Sequence, residues 1–286
     1  MPEPLLQLTT HPATASTLVV AGLRLAVLDA APPAGPGARG TALLLPGYTG
    51  SKEDFAPVLG PLAERGWRVV AVDQPGQHES TGPDDPGAYA VVQLGDVAVQ
   101  LAGRLGGPVH LLGHSVGGLV ARAAVLARPA AWRSLVLMDS GPAAISGARR
   151  QRLDALEPLL SSGGVEAVYE AGEELARADP AYVAPSPAQR DFLRRRFFAT
   201  SAASLQGMGD GLRSEPDRTR ELRATGTPTL VCYGAADDAW SPAQQQEMAD
   251  RLGAQSVVIP DAIHSPAVQN PSATVEALDA FWSAHT

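Results

Sequence analysis

Short apolar segments alternate with helical segments along most of this 286-residue chain, and this alternation constrains the fold more than any other feature. The apolar segments have the length of strands and are too short for helices. Parallel strands need a crossover connection, usually a helix, so the alternation predicts a mainly parallel sheet covered by helices on both faces. The eight predicted strands are Thr17–Ala21, Leu23–Leu28, Thr41–Leu45, Trp67–Val72, Val109–Leu112, Ser134–Met138, Pro228–Tyr233 and Ser256–Ile259.

The predicted helices occupy the segments between these strands. In the clearest case, residues 91–105, the apolar side chains recur on one helical face. A loop rich in Pro and Gly is expected at 31–40, before the third strand. The helices predicted in this way are Glu53–Arg65, Val91–Leu105, Val116–Ala127, Pro242–Leu252 and Ser272–Ala284.

The alternation stops after the sixth strand and resumes at the seventh. Residues 141–223 are helical in pattern and contain no convincing strand. The simplest organisation is an α/β core formed by residues 1–140 and 224–286, with residues 141–223 as a helical cap. The predicted fold is therefore a mostly parallel eight-stranded sheet flanked by helices, with the cap inserted after strand 6.

Composition and charge exclude several classes of function. Lys and Arg total 22 against 30 Asp and Glu, a formal net charge of −8, which argues against nucleic acid as a partner. The single cysteine, Cys232, excludes an intrachain disulfide and a cysteine-based zinc site. The six histidines show no metal-ligand spacing such as HExxH. We therefore expect neither a metal nor a cofactor.

Neither a membrane span nor a signal peptide is evident in the sequence. No apolar run approaches the roughly 18–20 residues that cross a bilayer. The first residues, MPEPLLQLTT, lack a basic start followed by an apolar stretch. We expect a soluble, cytoplasmic protein that acts on a small molecule and has no membrane partner. No pattern in the sequence indicates an oligomeric state.

The strongest local signal is the segment GHSVGG at 113–118, which lies between a predicted strand and a predicted helix. A serine at the apex of such a turn has a strained backbone, and side chains at 113 and 117 would collide. The start of the helix also presents the Val116 N–H towards negative charge. The pattern and its context are those of a nucleophile elbow and predict Ser115 as the nucleophile. The alternative is a glycine-rich turn with an exposed serine.

A serine nucleophile needs a base, and His264 is the best candidate. It lies in the segment PDAIHSP at 260–266, directly after the last predicted strand. His78 follows the fourth strand and could line a pocket. The remaining histidines are His110, inside a predicted strand, His114, beside the serine, and His11 and His285, near the ends of the chain.

The carboxylate that orients the base should follow the penultimate strand, where GAADDAWSP at 234–242 offers two adjacent candidates. Neighbouring side chains at a strand end point in different directions, so only one can serve. The position three residues after Gly234 favours Asp237, and counting back four from Pro242 favours Asp238. We favour Asp237. Asp139, at the end of the sixth strand, is a third candidate.

With these residues, the chain resembles the α/β-hydrolase fold superfamily, in its cap-bearing branch, over essentially its whole length. The resemblance depends on the elbow, on the order Ser115, Asp237, His264, and on a helical insertion between the sixth and seventh strands. It implies an oxyanion hole of two backbone N–H groups, those of Val116 and Tyr48. Tyr48 lies in PGYTG at 46–50, where many relatives have His-Gly in place of Pro46-Gly47.

A second loop resembles another motif of the superfamily. The segment DQPGQHES at 73–80 is similar to D-x-R-G-x-G-x-S and departs from it at Pro75 and His78. These departures affect contacts within the loop and leave the three candidate catalytic residues unchanged.

The leading functional hypothesis is a serine hydrolase that cleaves a carboxylic ester, thioester or lactone through an acyl-enzyme on Ser115. A C–C bond hydrolase, a cofactor-free perhydrolase or an acyltransferase could use the same residues. A ligand-binding protein without catalytic activity is the alternative from another class. Ser115 argues against epoxide hydrolases and dehalogenases, which use an aspartate nucleophile.

Substrate specificity in such folds depends on the loops and the cap. Scattered aromatic side chains within 141–223 suggest a partly apolar acyl pocket of modest size. The predicted substrate-binding residues are His114, Trp240, Phe192 and Phe198.

Overall fold

An eight-stranded sheet forms the centre of the computed structural model, which describes residues 6–33, 39–178 and 182–286. The strand order is β1-β2-β4-β3-β5-β6-β7-β8. Strand β2 runs antiparallel to both of its neighbours, and every other pairing is parallel. The prediction of an eight-stranded, mostly parallel sheet is confirmed. The strands are β1 (Thr14–Val20), β2 (Leu23–Ala30), β3 (Gly40–Leu45), β4 (Trp67–Val72), β5 (Val109–His114), β6 (Trp132–Met138), β7 (Thr229–Gly234) and β8 (Gln255–Ile259).

Helices cover both faces of this sheet. Along β3, Leu43 and Leu45 face one layer and Ala42 and Leu44 the other, because side chains alternate across a strand. The first layer includes α2, α3 and α8, and the second includes α1, α9 and α10. The helices are α1 (Ala56–Glu64), α2 (Val91–Arg104), α3 (Val116–Ala127), α4 (Gly147–Arg177), α5 (Pro187–Ala199), α6 (Ala202–Ser214), α7 (Thr219–Ala224), α8 (Pro242–Leu252), α9 (Pro266–Gln269) and α10 (Pro271–Ser283).

Two predicted elements differ from those observed in type or by more than two residues at one end. Strand β1 begins at Thr14, three residues earlier than predicted, because its first residues, TAS, are exposed and do not form an apolar run. The helix predicted at 53–65 is a 3₁₀ turn, Lys52–Phe55, followed by α1. Pro57 has no N–H to continue the preceding turn and suits the first turn of a new helix. Residues 34–38 of the predicted Pro/Gly loop, and residues 1–5 of the segment searched for a signal peptide, lie outside the described residues.

The chain between β6 and β7 forms α4, α5, α6 and α7, and no strand occurs among its described residues. The predicted helical insertion after strand 6 is therefore confirmed. Arg122 of α3, which is 2% exposed, joins the two ends of the insertion. It donates hydrogen bonds to the carbonyls of Pro142 and Pro216 and to Glu215 Oε1, the last at 3.0 Å. None of the helices in the described ranges combines the length and apolar composition needed to cross a bilayer.

A buried ion cluster joins the segments that follow β3 and β4. Lys52, the only lysine in the sequence, is 2% exposed. Its Nζ lies 2.9 Å from Asp73 Oδ2, 2.7 Å from Glu79 Oε2 and 2.9 Å from Glu53 Oε1. Burial opposes the charge on Lys52, but these carboxylates outweigh it and hold the pKa of the ammonium above its usual value. The cluster fixes the start of the β4 loop against the β3 loop.

Replacing Lys52 with Met should lower the free energy of unfolding by about 3–5 kcal/mol, because fully buried Asp73 would lose its cation. Urea denaturation measures this change. Arg65→Met is the control: Arg65 pairs with Asp279 at 3.5 Å and both side chains are partly exposed, so the loss should stay below about 1 kcal/mol. Equal losses in the two variants would contradict the structural role of the cluster.

Candidate active site

Ser115 lies at the apex of the turn between β5 and α3. Its backbone has φ 57° and ψ −123°, a conformation that costs a non-glycine residue roughly 1–3 kcal/mol. A Cβ at Gly113 would collide with the Gly117 carbonyl, and a Cβ at Gly117 would lie 2.5 Å from the Pro46 carbonyl oxygen. Both glycines are therefore required by lack of space, and the end of β3 lies directly against the elbow.

The structure brings Ser115, His264 and Asp237 together, as the sequence predicts. His264 Nε2 lies 3.0 Å from Ser115 Oγ, and His264 Nδ1 lies 2.8 Å from Asp237 Oδ1. The three residues follow β5, β8 and β7, whose carboxyl ends share one edge of the sheet. All three are buried, with exposed fractions of 7%, 9% and 5% respectively. Their catalytic roles stay a prediction.

One glutamine side chain and one histidine side chain hold the His264 loop in place. Gln269 Oε1 accepts hydrogen bonds from the backbone N–H groups of Ile263 and Ser265 at 2.8 and 3.0 Å. His114 Nε2 lies 2.6 Å from the His264 carbonyl oxygen and donates to it. Burial and the nearby His264 lower the pKa of His114 to about 4, so its ring is neutral at pH 7.

The Asp237 carboxylate has hydrogen-bond donors on both oxygens. Oδ1 accepts from His264 and from the Ala239 N–H at 2.9 Å, and Oδ2 accepts from Gln245 Nε2 at 2.6 Å. Burial works to raise the pKa of Asp237, but the hydrogen bond and charge of His264 outweigh it and lower the pKa. Asp238 instead is 56% exposed and pairs with Arg149 at 2.7 Å. The geometry therefore favours Asp237 as the partner of His264.

Asp139, the third candidate, is a second buried carboxyl group near the site. It is 0% exposed, and its Oδ1 accepts the Gly234 N–H at 2.8 Å. No donor among the described residues reaches its Oδ2, and the carboxyl group lies within hydrogen-bond reach of Asp237, to which it can donate only when protonated. Burial, together with the negative charge of Asp237, raises the pKa of Asp139 to about 9. Asp139 is therefore protonated and uncharged at pH 7.

Val116 follows Ser115 in the chain, and Tyr48 follows Gly47, on which a Cβ would lie 3.2 Å from Ser115 Cβ. Val116 is the first residue of α3, so its N–H has no acceptor within the helix. Among the residues that the structure describes, the Tyr48 N–H also meets no acceptor. The Tyr48 hydroxyl donates to the Leu205 carbonyl of α6 at 2.8 Å, and burial raises the pKa of this phenol. The side chain of Tyr48 thus contacts the insertion, and its backbone N–H is free for another partner.

The side chains predicted to bind substrate have packing contacts in this structure. Trp240 is 1% exposed and its Nε1 donates to the Ala143 carbonyl at 3.1 Å. The Phe192 ring lies edge-on, 6.0 Å from His78 in the β4 loop. The Phe198 ring lies 5.1 Å from Tyr169 of α4. Substrate binding by these residues and by His114 stays a prediction.

Three groups of acidic and histidine side chains have potential metal-ligating atoms within 4.8 Å of one another. Many of these atoms form hydrogen bonds or ion pairs with other protein groups. Two groups include His264, whose nitrogens contact Asp237 and Ser115. In the third, Lys52 neutralises both carboxylates. The groups are His114, Asp139 and His264; Asp237, Asp238 and His264; and Glu53, His78 and Glu79.

Three buried glutamines near the site, Gln245, Gln74 and Gln77, are not among the residues predicted from the sequence. Gln245 reaches Asp237 from α8, and the other two lie in the β4 loop. Gln74 and Gln77 lie within the loop motif that the sequence analysis singled out. No sequence pattern marks Gln245, since its proximity to Asp237 depends on how α8 packs.

The titration of Asp139 can be tested with Asp139→Asn, which has nearly the same shape and no charge. The pKa of this group is about 9 when folded, against 3.8 when exposed, so the unfolded chain releases its proton at lower pH. Wild-type stability is therefore lost as pH rises between these values, and the variant avoids this loss. We expect the melting temperature of the variant, relative to wild type, to be higher at pH 8 than at pH 5. A constant difference would show that Asp139 is ionised in the folded protein.

Comparisons with known proteins agree with this fold. A model of the alpha/beta hydrolase family matches residues 42–277. The chain is 34% identical over 230 residues to a protein of Variovorax paradoxus (strain S110) that carries the name "Putative carbamate hydrolase RutD". The match covers 76% of this chain and 82% of RutD. It is 28% identical over 254 residues to a pimeloyl-[acyl-carrier protein] methyl ester esterase of Aeromonas hydrophila, covering 84% and 94% of the two chains.

A solved structure shows the same fold. The thermophilic esterase of Thermogutta terrifontis superposes with a TM-score of 0.78 at 24% identity, covering 96% of this chain and 100% of the esterase. The family model spans most of the chain, and the relatives named are hydrolases or esterases. The chain therefore belongs to the alpha/beta hydrolase family and is a hydrolase.

Proposed function

We propose that the protein is a serine hydrolase that cleaves a carboxylic ester, thioester or lactone through an acyl-enzyme on Ser115. The observation that carries this proposal is the continuous hydrogen-bonded arrangement of Ser115, His264 and Asp237 on a strained strand-to-helix turn. A serine hydroxyl is a weak nucleophile until a base is placed beside it and a carboxylate orients that base.

In the first half of the reaction, Ser115 Oγ attacks the carbonyl carbon and His264 Nε2 takes the hydroxyl proton. The His264 Nδ1–H donates to Asp237, which leaves the Nε2 lone pair directed at Ser115. The carbon–oxygen or carbon–sulfur bond then breaks, and His264 returns the proton to the departing alcohol or thiol. In the second half, water attacks the acyl-enzyme, His264 takes its proton, and Ser115 leaves with that proton as the acid is released.

The developing oxyanion would accept hydrogen bonds from the backbone N–H groups of Tyr48 and Val116. Two observations support this assignment: Val116 follows Ser115 and Tyr48 follows Gly47, which lies against Ser115, and neither N–H has an acceptor among the described residues. Preorganised donors of this kind stabilise charge that forms only in the transition state, and losing one typically costs on the order of 10²–10³ in rate.

The insertion, residues 141–223, would act as a cap over a core of residues 1–140 and 224–286. Its helices contact the loops that carry the site: Tyr48 bonds to Leu205 of α6, and Arg196 of α5 pairs with Asp54 at 2.7 Å. Helix α7 spans the proposed boundary at 223 and packs against α3 and α8. The cap would exclude water and shape the acyl site, with His114, Trp240, Phe192 and Phe198 as proposed lining residues.

One second candidate has a specific observation in its favour. The relation to RutD, at 34% identity, favours a carbamate as substrate, which the same serine chemistry could cleave. A panel of short esters, thioesters, lactones and carbamates ranks these substrates by kcat/KM. Added alcohol or thiol acceptors in the same assays reveal acyl transfer, and product analysis reveals C–C cleavage or peracid formation.

Ser115→Ala removes only a hydroxyl group, so the variant should fold like the wild type. We expect kcat for the best ester to fall roughly 10³–10⁶-fold, because the nucleophile is lost. Ser265→Ala, in the loop beside His264, is the control and should keep its activity. A fluorophosphonate, which reacts covalently with a nucleophilic serine, should label this control as it labels the wild type and should not label Ser115→Ala. Full activity in Ser115→Ala, or labelling of another serine, would overturn the assignment.

The two adjacent carboxylates can be separated by Asp237→Asn and Asp238→Asn. Asp237→Asn should lower kcat by about 10³–10⁴, because His264 would lose the group that orients it. Asp238→Asn loses only an ion pair with Arg149 and should retain nearly all activity. Steady-state kinetics on one ester decide between them. The reverse order would identify Asp238 as the acid, and near-full activity in both would identify Asp139.

A further inference from the structure

Two buried glutamines hold the loop that carries Tyr48. Gln74 Nε2 donates to the Pro46 carbonyl at 2.9 Å. Gln77 Nε2 donates to the carbonyls of Gly47 and Tyr48 at 2.7 and 3.1 Å. Both side chains are almost fully buried, at 2% and 0% exposed. Three successive carbonyls of one loop therefore face side-chain amides from the loop after β4.

This arrangement determines where the Tyr48 N–H points. A trans peptide is planar, so the carbonyl of Gly47 and the N–H of Tyr48 point in opposite directions. Since Gln77 holds that carbonyl, the Tyr48 N–H is directed away from Gln77. The same loop lies against the nucleophile, because a Cβ on Gly47 would sit 3.2 Å from Ser115 Cβ.

The Gln77 amide is itself held rigidly. Its Oε1 accepts the Gln74 N–H at 3.2 Å, which leaves the NH₂ group facing the carbonyls of the β3 loop. Asp73, at the start of the loop, is bound to the buried Lys52 ammonium at 2.9 Å. Met208 of α6 covers the amide, with its Sδ 3.7 Å from Nε2. The donors therefore stay in place when charge develops beside Ser115.

Glutamine is chemically suited to this position. Its NH₂ group supplies two N–H donors without charge, and both nearby acceptors are backbone carbonyls. A carboxylate of the same shape would repel those carbonyls, because both groups carry lone pairs and neither has a hydrogen to donate. An apolar side chain would remove the two hydrogen bonds that the Gln77 amide donates to these buried carbonyls.

We propose that Gln77 is a positioning residue that aims the Tyr48 N–H at the oxyanion of the tetrahedral intermediate. The inference rests on the proposed function, because it requires an oxyanion beside Ser115. Gln77 does not touch the substrate and acts through the Gly47–Tyr48 peptide. Its contribution should appear mainly in kcat, because the donor it orients is used in the transition state.

The test compares Gln77→Met, which keeps the length of the side chain and removes both donors, with wild type. We expect kcat for a short ester to fall about 10–10²-fold, less than the loss of a whole oxyanion donor, with KM changed by less than about 3-fold. The Ki of a trifluoromethyl ketone, whose adduct with Ser115 carries an oxyanion, should rise in parallel. Gln93→Met makes the same exchange at an exposed position of α2, so it should leave both quantities unchanged.

Gln77→Glu supplies a second and independent readout. The protonated carboxyl can donate to the Gly47 carbonyl, and the ionised form cannot. The kcat of this variant, divided by that of wild type, should therefore fall as pH rises through the titration of Glu. A purely structural role would change the melting temperature and leave this ratio constant with pH.

The outcomes separate the two proposals. If Ser115→Ala is inactive while both Gln77 variants keep wild-type kcat, ketone affinity and pH profile, the positioning role is overturned and the serine mechanism stands. If Ser115→Ala retains full activity in the same assay, both proposals fall. A selective loss of kcat and ketone affinity in Gln77→Met, or the pH-dependent loss in Gln77→Glu, supports the positioning role.

Discussion

The close approach of backbone at Ser115 is the constraint on which the rest of the site depends. Gly113 and Gly117 allow the elbow to fold so tightly that the carbonyls at the end of β3 border α3. The same approach brings the loop after β3 into contact with Ser115. Larger residues at either glycine would separate these segments and would disturb both the nucleophile and the Tyr48 loop. Steric crowding thus sets the positions of two parts of the site together.

Buried polar contacts supply the precision that packing alone does not. Asp237 has three donors on its two oxygens, and one of them, Gln245, is fully buried. Asp139 lies close by and is kept uncharged, since two buried carboxylates in one region cannot both ionise cheaply. Of these two carboxyl groups, only Asp237 therefore carries negative charge at neutral pH, and the proposed mechanism needs that charge beside His264 when the imidazole is protonated.

The sequence was sufficient to predict the features that depend on local pattern. The strand–helix alternation, the insertion after strand 6 and the segment around Ser115 follow from short-range periodicity and turn chemistry, and the structure contains them. The choice between Asp237 and Asp238 rested on counting, because the direction of a side chain in a loop is not a local property. In the structure Asp237 contacts His264 and Asp238 contacts Arg149, which favours Asp237.

Features that depend on long-range packing could not be predicted. A lone lysine in an arginine-rich chain suggests a surface residue, yet Lys52 is buried beside Glu53, its neighbour in the chain, and beside Asp73 and Glu79 of the β4 loop. Gln74 and Gln77 have no pattern of their own, because glutamine is common on surfaces and its buried role depends on carbonyls about 28 to 30 residues away. Only the folded chain shows that these groups meet.

Contacts join the insertion to the loops that carry the candidate site. Tyr48 bonds through its hydroxyl to α6, and the preceding residue, Gly47, lies against Ser115. Met208 of α6 packs on Gln77, and Arg196 of α5 is bound to Asp54 after β3. A movement of α5 and α6 away from the sheet would break these contacts and uncover the Gln77 amide, which would keep its own bonds to the Gly47 and Tyr48 carbonyls. In the proposed mechanism, a substrate that displaced these helices would therefore act on the oxyanion donor through the Tyr48 side chain and through water reaching the Gln77 amide.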